Sequence, residues 1–341
     1  MAKKILIVGG GVAGLCLAIE LERKGHEVNI IDDDQNVSST VAAGLVNPFS
    51  FRRTLLSWKA NPFFWESEQF YLTLQQSITE QFYHKIFIRR LFANQEEATL
   101  WQSRLSEAEY DSFMLPLTGE DMAFSSFGSG RVKGFWIDVK VFIPQVKAYF
   151  NEKGLVKKAL FDFSLFNPSP LKYSNEKYDS VVFATGFRNH ENPLFINTPI
   201  NATKGQLLTA NWNNPETKTS LHRKAFALPL GEKLFKIGST YEWNNTNIEI
   251  TPEAQSQILR NFQSISNDPV EVIHQESGIR PTTPDRRPIV GRHQTYHDVY
   301  IFNGLGTKGY MLAPSLANHL AEAITNNSPL SEELSPDRFN R

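Results

Sequence analysis

The segment from Lys4 to Asp34 reads KILIVGGGVAGLCLAIELERKGHEVNIIDDD, and no other stretch narrows the fold as far. Lys4 to Val8 is apolar without alternation, the pattern of a short parallel strand buried on both faces. Gly9, Gly11 and Gly14 then give G-x-G-x-x-G. Val12 to Lys24 reads as a helix that Gly25 stops at a C′ position, and Glu27 to Ile31 as a second strand. In such a turn the first glycine permits the corner, the second lets backbone touch a pyrophosphate, and the third lets helix pack on strand. The phosphates rest on the helix N-terminus, beside Val12 and Ala13, where free N–H groups and the dipole favour anions. Asp32, 23 residues after Gly9, stands where a ribose hydroxyl would donate, with Asp33 beside it. The bland alternative is a sharp structural corner. Strand before, helix after and acid beyond favour a dinucleotide site, and an acid rather than an arginine argues against NADP. NAD and FAD stay open on these residues alone.

Length and charge bound the rest. A chain of 341 residues allows about two domains. Lys plus Arg is 35 and Asp plus Glu 36, a net charge of -1, which argues against a polyanion-seeking protein without excluding a local basic patch. A hydrophobic share of 41% with 21% charged residues excludes a mostly disordered chain. The single cysteine, Cys16, excludes an internal disulfide and any cysteine-rich zinc or iron–sulfur site. Lys3 and Lys4 before the apolar run Ile5–Leu21 imitate a signal peptide. Four glycines interrupt that run, and no small-residue cleavage pattern follows. No stretch is long and apolar enough for a membrane span, and a cytoplasmic location is expected.

Three later segments decide between the cofactors. The first is Ser38-Ser39-Thr40-Val41-Ala42-Ala43-Gly44-Leu45-Val46-Asn47-Pro48. The second is Tyr178 to Gly186, a buried strand running into Ala184-Thr185-Gly186. The third runs Gly278-Ile279-Arg280-Pro281 through Gly291, then Val299 to Pro314, and contains Gly304, Gly306, Thr307, Lys308, Gly309 and Tyr310. Their order and spacing resemble the FAD-dependent amine and amino-acid oxidoreductases of the D-amino-acid oxidase family, which includes glycine oxidase and sarcosine oxidase. The resemblance spans essentially the whole chain and is weakest from about Phe49 to Gly134. It implies an α/β protein with a discontinuous Rossmann-like FAD-binding domain (residues 1–50, 137–204 and 276–341). A mixed sheet-and-helix, α+β substrate domain (residues 51–136 and 205–275) would complete it. It also implies that Ala42 to Val46, Ala184 to Gly186 and Gly304 to Tyr310 approach the flavin. Physically the last of these is a second nest, whose N–H groups around Gly306–Gly309 can face the pyrimidine edge of a reduced flavin.

Between these segments, Phe49 to Arg104 reads as helical, with Asn61-Pro62 opening one helix. Gly205–Asn211, Lys224–Leu230 and Leu234–Thr240 read as strands, 252–265 as an amphipathic helix and Val270–Gln275 as a further strand. Gly278 is expected to return the chain to the cofactor domain. Asp138 caps a helix from Val139 to Glu152 that Gly154 ends.

Oxidation of an amine by a flavin needs orientation more than acid–base machinery: the neutral amine gives up its Cα hydride and the imine is hydrolysed. Arg280 is the expected carboxylate anchor, since a guanidinium holds carboxylate in a bidentate fork, and the resemblance implies the same role. The alternative is an arginine paired with Asp285 or a chain carbonyl. Lys308 either bonds flavin or substrate or is solvated. Lys236 resembles the oxygen-activating lysine of sarcosine oxidases, against the alternative of a strand's exposed face. Tyr241 and Trp243 either wall the substrate pocket or pack in core or rim. With no cysteine near the C-terminal segment, FAD is expected to be non-covalent. His293 and His297 have metal-ligand spacing but lack the glutamate a zinc protease would need, and no metal is expected.

The 25 Phe, 10 Tyr and 6 Trp concentrate between Phe49 and Tyr83, where ten fall. Most are expected in the core and the rest in an apolar amine pocket over the flavin, which would place specificity there. Arg52, Arg53, Lys85, Arg89 and Arg90 lie among them, so nucleic acid must be weighed. One branch of the family removes a carboxymethyl group from a modified tRNA uridine; near-neutral charge and the lack of that branch's methyltransferase half argue against it. The expected function is oxidation of the C–N bond of a small amino acid or N-substituted glycine, with oxygen or a quinone-like acceptor receiving the electrons. The rivals are the tRNA-modifying reaction and a non-catalytic flavin-binding subunit.

Overall fold

The computed structural model describes residues 1–35, 38–213 and 218–339. In chain order the principal strands begin with β1 (Lys4–Val8), β2 (Glu27–Asp32), β3 (Leu45–Val46), β4 (Tyr83–Leu91) and β5 (Ser129–Ile137). β6 (Val156–Lys158), β7 (Ser180–Phe183), β8 (Asn201–Trp212), β9 (Thr219–His222) and β10 (Phe226–Gly231) follow. β11 (Leu234–Gly238), β12 (Glu242–Trp243), β13 (Val270–Thr282), β14 (Ile289–Arg292) and β15 (Val299–Asn303) complete the set. The longer helices are α1 (Val12–Arg23), α2 (Ala60–Gln75), α3 (Gln95–Leu105), α4 (Val139–Glu152), α5 (Pro252–Phe262) and α6 (Gly309–Asn326).

The first sheet runs β14-β15-β7-β1-β2-β6, parallel except where β14 meets β15. β1 lies between β2 and β7, and the chain leaves its carboxyl end through α1 toward β2 only, which opens a crevice on the β7 side. That crevice is where open α/β sheets take ligands. Its strands are apolar on both faces because both are covered. Ile5, Ile7, Val28, Ile30 and Val182 join the core that includes α1 and α6, whereas Leu6, Val8, Ile31, Val181 and Phe183 pack with Phe161 and Tyr173.

The second sheet has nine strands, β12-β8-β11-β10-β9-β4-β5-β3, with β13 also paired to β8. Period-two alternation sorts its side chains. Leu208, Ala210, Trp212, Leu221, Ala227, Phe235 and Ile237 form one buried face against Ile258 and Phe262 of α5. The opposite positions, among them Gly205, Leu207, His222, Phe226, Lys236, Gly238 and Arg280, share the other face.

Several elements depart from the sequence expectation. Tyr83–Leu91 is a strand inside the stretch expected to be helical. Its side chains alternate between buried Ile86 and Ile88 and exposed Lys85 and Phe87, the strand period. Thr219–His222 is an additional strand, parallel to β4. β13 runs unbroken from Val270 to Thr282 and stays paired with β8 past Gly278, rather than leaving the second sheet there. The strand β8 likewise crosses residue 204 without a break.

Of the ten aromatics from Phe49 to Tyr83, seven are buried and stack upon one another and on Trp101, Phe113 and Phe135. None of the ten lines the cavity described below. The expected aromatic roof over the flavin is therefore not formed by this segment, which is core. Arg89, Asp121 and Arg131 form a buried ion-pair network with Phe124 over Arg89, and Arg52 and Arg53 are exposed.

Candidate active site

A cavity of about 400 Å³ opens between the carboxyl ends of the first sheet and the face of the second. Its first wall is the glycine turn. Gly9 takes φ +111°, and a Cβ there would strike the Ala184 carbonyl; at Gly14 a Cβ would strike the Gly9 carbonyl, so helix and strand touch. Gly11, the N-cap of α1, has no side chain of its own to cap the helix, which leaves first-turn N–H donors other than that of Val12 at the cavity. Ser39 Oγ accepts from the Val12 N–H at 3.0 Å, tying the short helical turn Ser38–Val41 against α1. Asp32 and Asp33 line the cavity at the end of β2. Asp32 is ion-paired to Lys147 of α4, and Asp33 to Arg188.

The opposite end is α6, again without a side-chain cap, preceded by Gly306-Thr307-Lys308. Tyr310 Oη donates to the Ser39 carbonyl at 2.6 Å, so the two helix starts are joined. Lys308 Nζ donates to the carbonyls of Asn47 and Phe49. Burial pushes its ammonium down to about 8.

The second sheet supplies the remaining wall. Arg280 donates from Nη1 to the Thr240 carbonyl at 3.2 Å and from Nη2 to Ser239 Oγ at 3.0 Å. The Tyr241 ring covers its guanidinium, 4.5 Å from the ring centroid. Gly205 lies directly beneath: any Cβ there would occupy the space of the guanidinium. Among the described residues no carboxylate pairs with Arg280, and burial lowers its pKa from the ordinary value. Of the two alternative partners, Asp285 is held by Arg338, whereas a chain carbonyl, that of Thr240, does accept from Arg280.

Most residues singled out from the sequence come together here. Gly9, Gly11, Val12, Ala13, Asp32, Asp33, Ala42, Ala43, Gly44 and Leu45 line the cavity. So do Ala184, Thr185, Gly186, Gly306, Thr307, Lys308, Gly309, Tyr310, Tyr241 and Arg280. Five do not. Gly14 acts through helix packing. Val46 is buried where β3 pairs with β5, and Gly304 takes φ +72° against Thr283. Trp243 is 59% exposed and lies outside the cavity lining. Lys236 is neither on an exposed face nor in the cavity wall: it is 6% exposed, its Nζ donates to the Ala42 carbonyl at 3.2 Å, and Glu276 lies 3.8 Å away. Burial depresses its pKa, with Glu276 opposing.

His222, Phe226 and Ser239 also line the cavity and were not foreseen. They sit at strand ends, and only the register between strands brings them to one place. His293 Nδ1 accepts backbone N–H groups of Thr295 and Tyr296, and among the described residues no cluster suited to a metal ion occurs.

Residues 4–323 match the family model described as FAD dependent oxidoreductase. The chain belongs to that family. As an FAD-dependent oxidoreductase it is an enzyme, and FAD is its cofactor. The fold is shared with iminodiacetate oxidase from Chelativorans sp. BNC1, with TM-score 0.79, 20% identity, and coverage of 97% of this chain and 98% of that one. It is shared equally with glycine oxidase from Geobacillus kaustophilus, with TM-score 0.78, 19% identity and 99% of each chain. In sequence the oxidoreductase is 22% identical to glycine oxidase of Pseudomonas aeruginosa over 97% of both. It is also 22% identical to the tRNA 5-methylaminomethyl-2-thiouridine biosynthesis bifunctional protein of Pseudoalteromonas atlantica, covering 98% of this chain but 58% of that relative. The chain thus spans a little under three fifths of the length of that bifunctional relative.

The residues present fit FAD. Two long helices whose N-cap residues make no capping bond present their N-termini to one cavity, glycines permit close backbone approach, and an acid closes β2. Cys16, the single cysteine of the chain, is fully buried in α1 and outside the cavity wall, so it offers no thioether to a flavin and the FAD is held non-covalently. Among the described residues no helix is long and apolar enough to cross a membrane.

Proposed function

We propose that this oxidoreductase oxidises the C–N bond of a small amino acid or N-substituted glycine. The observation that carries the reading is Arg280, a guanidinium at the cavity wall, with no acidic partner among the described residues and seated on Gly205 beneath Tyr241. A cation desolvated in this way needs an anion, and a substrate carboxylate supplies one. Ser239 and the Thr240 carbonyl hold the fork in orientation before substrate arrives.

The turn Gly9–Ala13 would hold the diphosphate of FAD, Asp32 the ribose, and Ala42–Leu45 with Gly306–Tyr310 the ring system. Bound there, FAD supplies the hydride acceptor. Arg280 fixes the carboxylate and thereby the direction in which the Cα–H points. Arg280 and Lys308 both put positive charge in the cavity, and positive charge favours the neutral over the protonated form of a bound amine. Only the neutral amine has the lone pair that drives Cα–H loss. Lys236, held behind Ala42, adds positive charge behind that loop without touching substrate. Oxygen or a quinone-like compound would take the electrons. The strands and loops at residues 51–136 and 205–275 would act as the substrate unit, and residues 1–50, 137–204 and 276–341 as the cofactor unit.

Arg280→Ala tests the anchor: the KM for carboxylate substrates should rise by roughly two orders of magnitude or more. An unchanged KM would remove the assignment.

A second reading is favoured by the match to the bifunctional tRNA-biosynthesis relative. An aminomethyl uridine carrying a carboxymethyl group is itself an N-substituted glycine, so the same anchor would serve. Bulk tRNA from a strain lacking this modification step should then bleach the protein's yellow colour anaerobically. Free amino acids bleaching it while tRNA does not would exclude that reading.

A further inference from the structure

His222 is a polar side chain of the cavity wall that the reading above leaves unused. Its place follows from register. Leu207 of β8 pairs with Gly238 of β11, Gly238 with Phe226 of β10, and Phe226 with His222 of β9. Residues opposite one another across a sheet point to the same face, so the four make one transverse row on the cavity side. Gly238 contributes no side chain. A Cβ there would enter the Leu207 side chain and come within 3.1 Å of the Phe226 ring, so the two apolar groups close over it. The row is an apolar floor that starts beside Ser239 and Arg280 and ends in an imidazole. With strands about 4.8 Å apart, the span from β11 to β9 is about 10 Å.

The state of the imidazole can be read from its neighbours. Ser220 Oγ donates to the Ala227 carbonyl at 3.2 Å and lies 3.0 Å from His222 Nε2. The assignment that makes both contacts hydrogen bonds gives the serine hydrogen to the carbonyl and places the imidazole hydrogen on Nε2. Nδ1 is left as an acceptor, and among the described residues nothing donates to it. Phe51 meets the ring edge-on at 5.5 Å and Phe226 stacks at 5.8 Å. Burial first, then the charges of Arg90 and Lys308, push its pKa down to about 3, so the ring is neutral. The two charges that act on it, Lys308 and the Glu97-paired Arg90, are cations, which disfavours a cationic tail, and the Nδ1 lone pair disfavours a carboxylate tail.

We propose that the substrate is an amino acid or N-substituted glycine whose tail runs from Arg280 over Leu207 and Phe226 and ends in an uncharged hydrogen-bond donor received by His222 Nδ1. This rests on the carboxylate anchor proposed above. It makes His222 a specificity-determining residue, and a hydroxyl or amide N–H the group it selects. Glycine and sarcosine would leave the floor and its polar end uncovered.

The test compares matched pairs in anaerobic flavin bleaching: homoserine against norvaline in both enantiomers, and N-(2-hydroxyethyl)glycine against N-propylglycine. The rate constant per concentration should favour the hydroxyl member by about tenfold in at least one pair. His222→Leu should bring that ratio to near one and His222→Asn, which keeps an acceptor, should restore part of it. His222→Phe preserves the aromatic stack and serves if the leucine variant loses FAD. No preference in the native protein, or a preference that survives in His222→Leu and His222→Phe, overturns the inference alone. Failure of every amino acid to bleach a folded, FAD-loaded protein removes the carboxylate reading and this inference with it.

Discussion

The two walls of the cavity are built by different means. At the carboxyl ends of the first sheet, the site is backbone: Gly9, Gly11, Gly14 and the start of α1, then Gly306–Gly309 and the start of α6. On the face of the second sheet it is side chain: Arg280, Ser239, Phe226 and His222, each at or near a strand end. A backbone site depends on residues being absent, on the missing Cβ atoms of glycine. A side-chain site depends on residues from four strands standing in register.

That contrast orders the expected effects of substitution. Gly14→Val should have the largest, because its Cβ has no room beside the Gly9 carbonyl. The purified protein should be colourless or insoluble, and a stoichiometric flavin absorbance would show that the helix–strand contact is not required. Gly205→Ala comes next, since it displaces the guanidinium while leaving the glycine turns untouched. FAD should remain bound while kcat/KM for carboxylate substrates falls at least tenfold. A fall in flavin content instead would mean that the two walls are not separable.

Third is an acid effect confined to the second sheet. The unfolded chain takes up a proton on His222 near 6.5, the folded chain only near 3, so between these values the unfolded state holds more protons. Stability contributed by the neutral ring is present above 6.5 and lost as pH falls toward 3, on the order of 3 kcal/mol by pH 4. Denaturant unfolding at pH 7 and pH 4 should show that loss in the native protein and much less of it in His222→Phe. Lys308 has the smaller effect. Its ammonium deprotonates near 8, so carboxylate binding should weaken several-fold as pH rises through that value, and the inflection should be missing from Lys308→Met. Smallest is Trp65→Leu. Trp65, 37% exposed, covers Phe64 and Phe113 at the edge of the aromatic core and lies outside the cavity, so heat stability should drop slightly and substrate preference not at all.

The same contrast explains what was legible in the sequence. Glycine turns at fixed spacing between a strand and a helix are local, and nearly every residue taken from them reached the cavity. Arg280 was legible because Gly-x-Arg-Pro lies in a recognisable segment. His222, Phe226 and Ser239 were not, because a transverse row joins positions spread along more than thirty residues, and no local pattern states which strand pairs with which. The alternation in Tyr83–Leu91 was available, but the helical appearance of its flanks hid it. Most of the dense aromatics from Phe49 to Tyr83 lie in the core, as expected, but the remainder, expected over the flavin, do not reach the cavity. Large flat side chains bury well wherever a sheet and helices meet, and density alone does not distinguish a wall from a filling. Lys236 fell between its two alternatives: its strand face points toward the cofactor side, and the Ala42 loop covers it.

The central claim is that a carboxylate on Arg280 orients the substrate. Anaerobic titration of the FAD-loaded protein with amino acids, each beside the amine that lacks its carboxylate, tests it most directly. Bleaching by at least one amino acid, with its decarboxylated partner at least a hundredfold less effective, is the predicted result. Equal bleaching by acid and amine would contradict it.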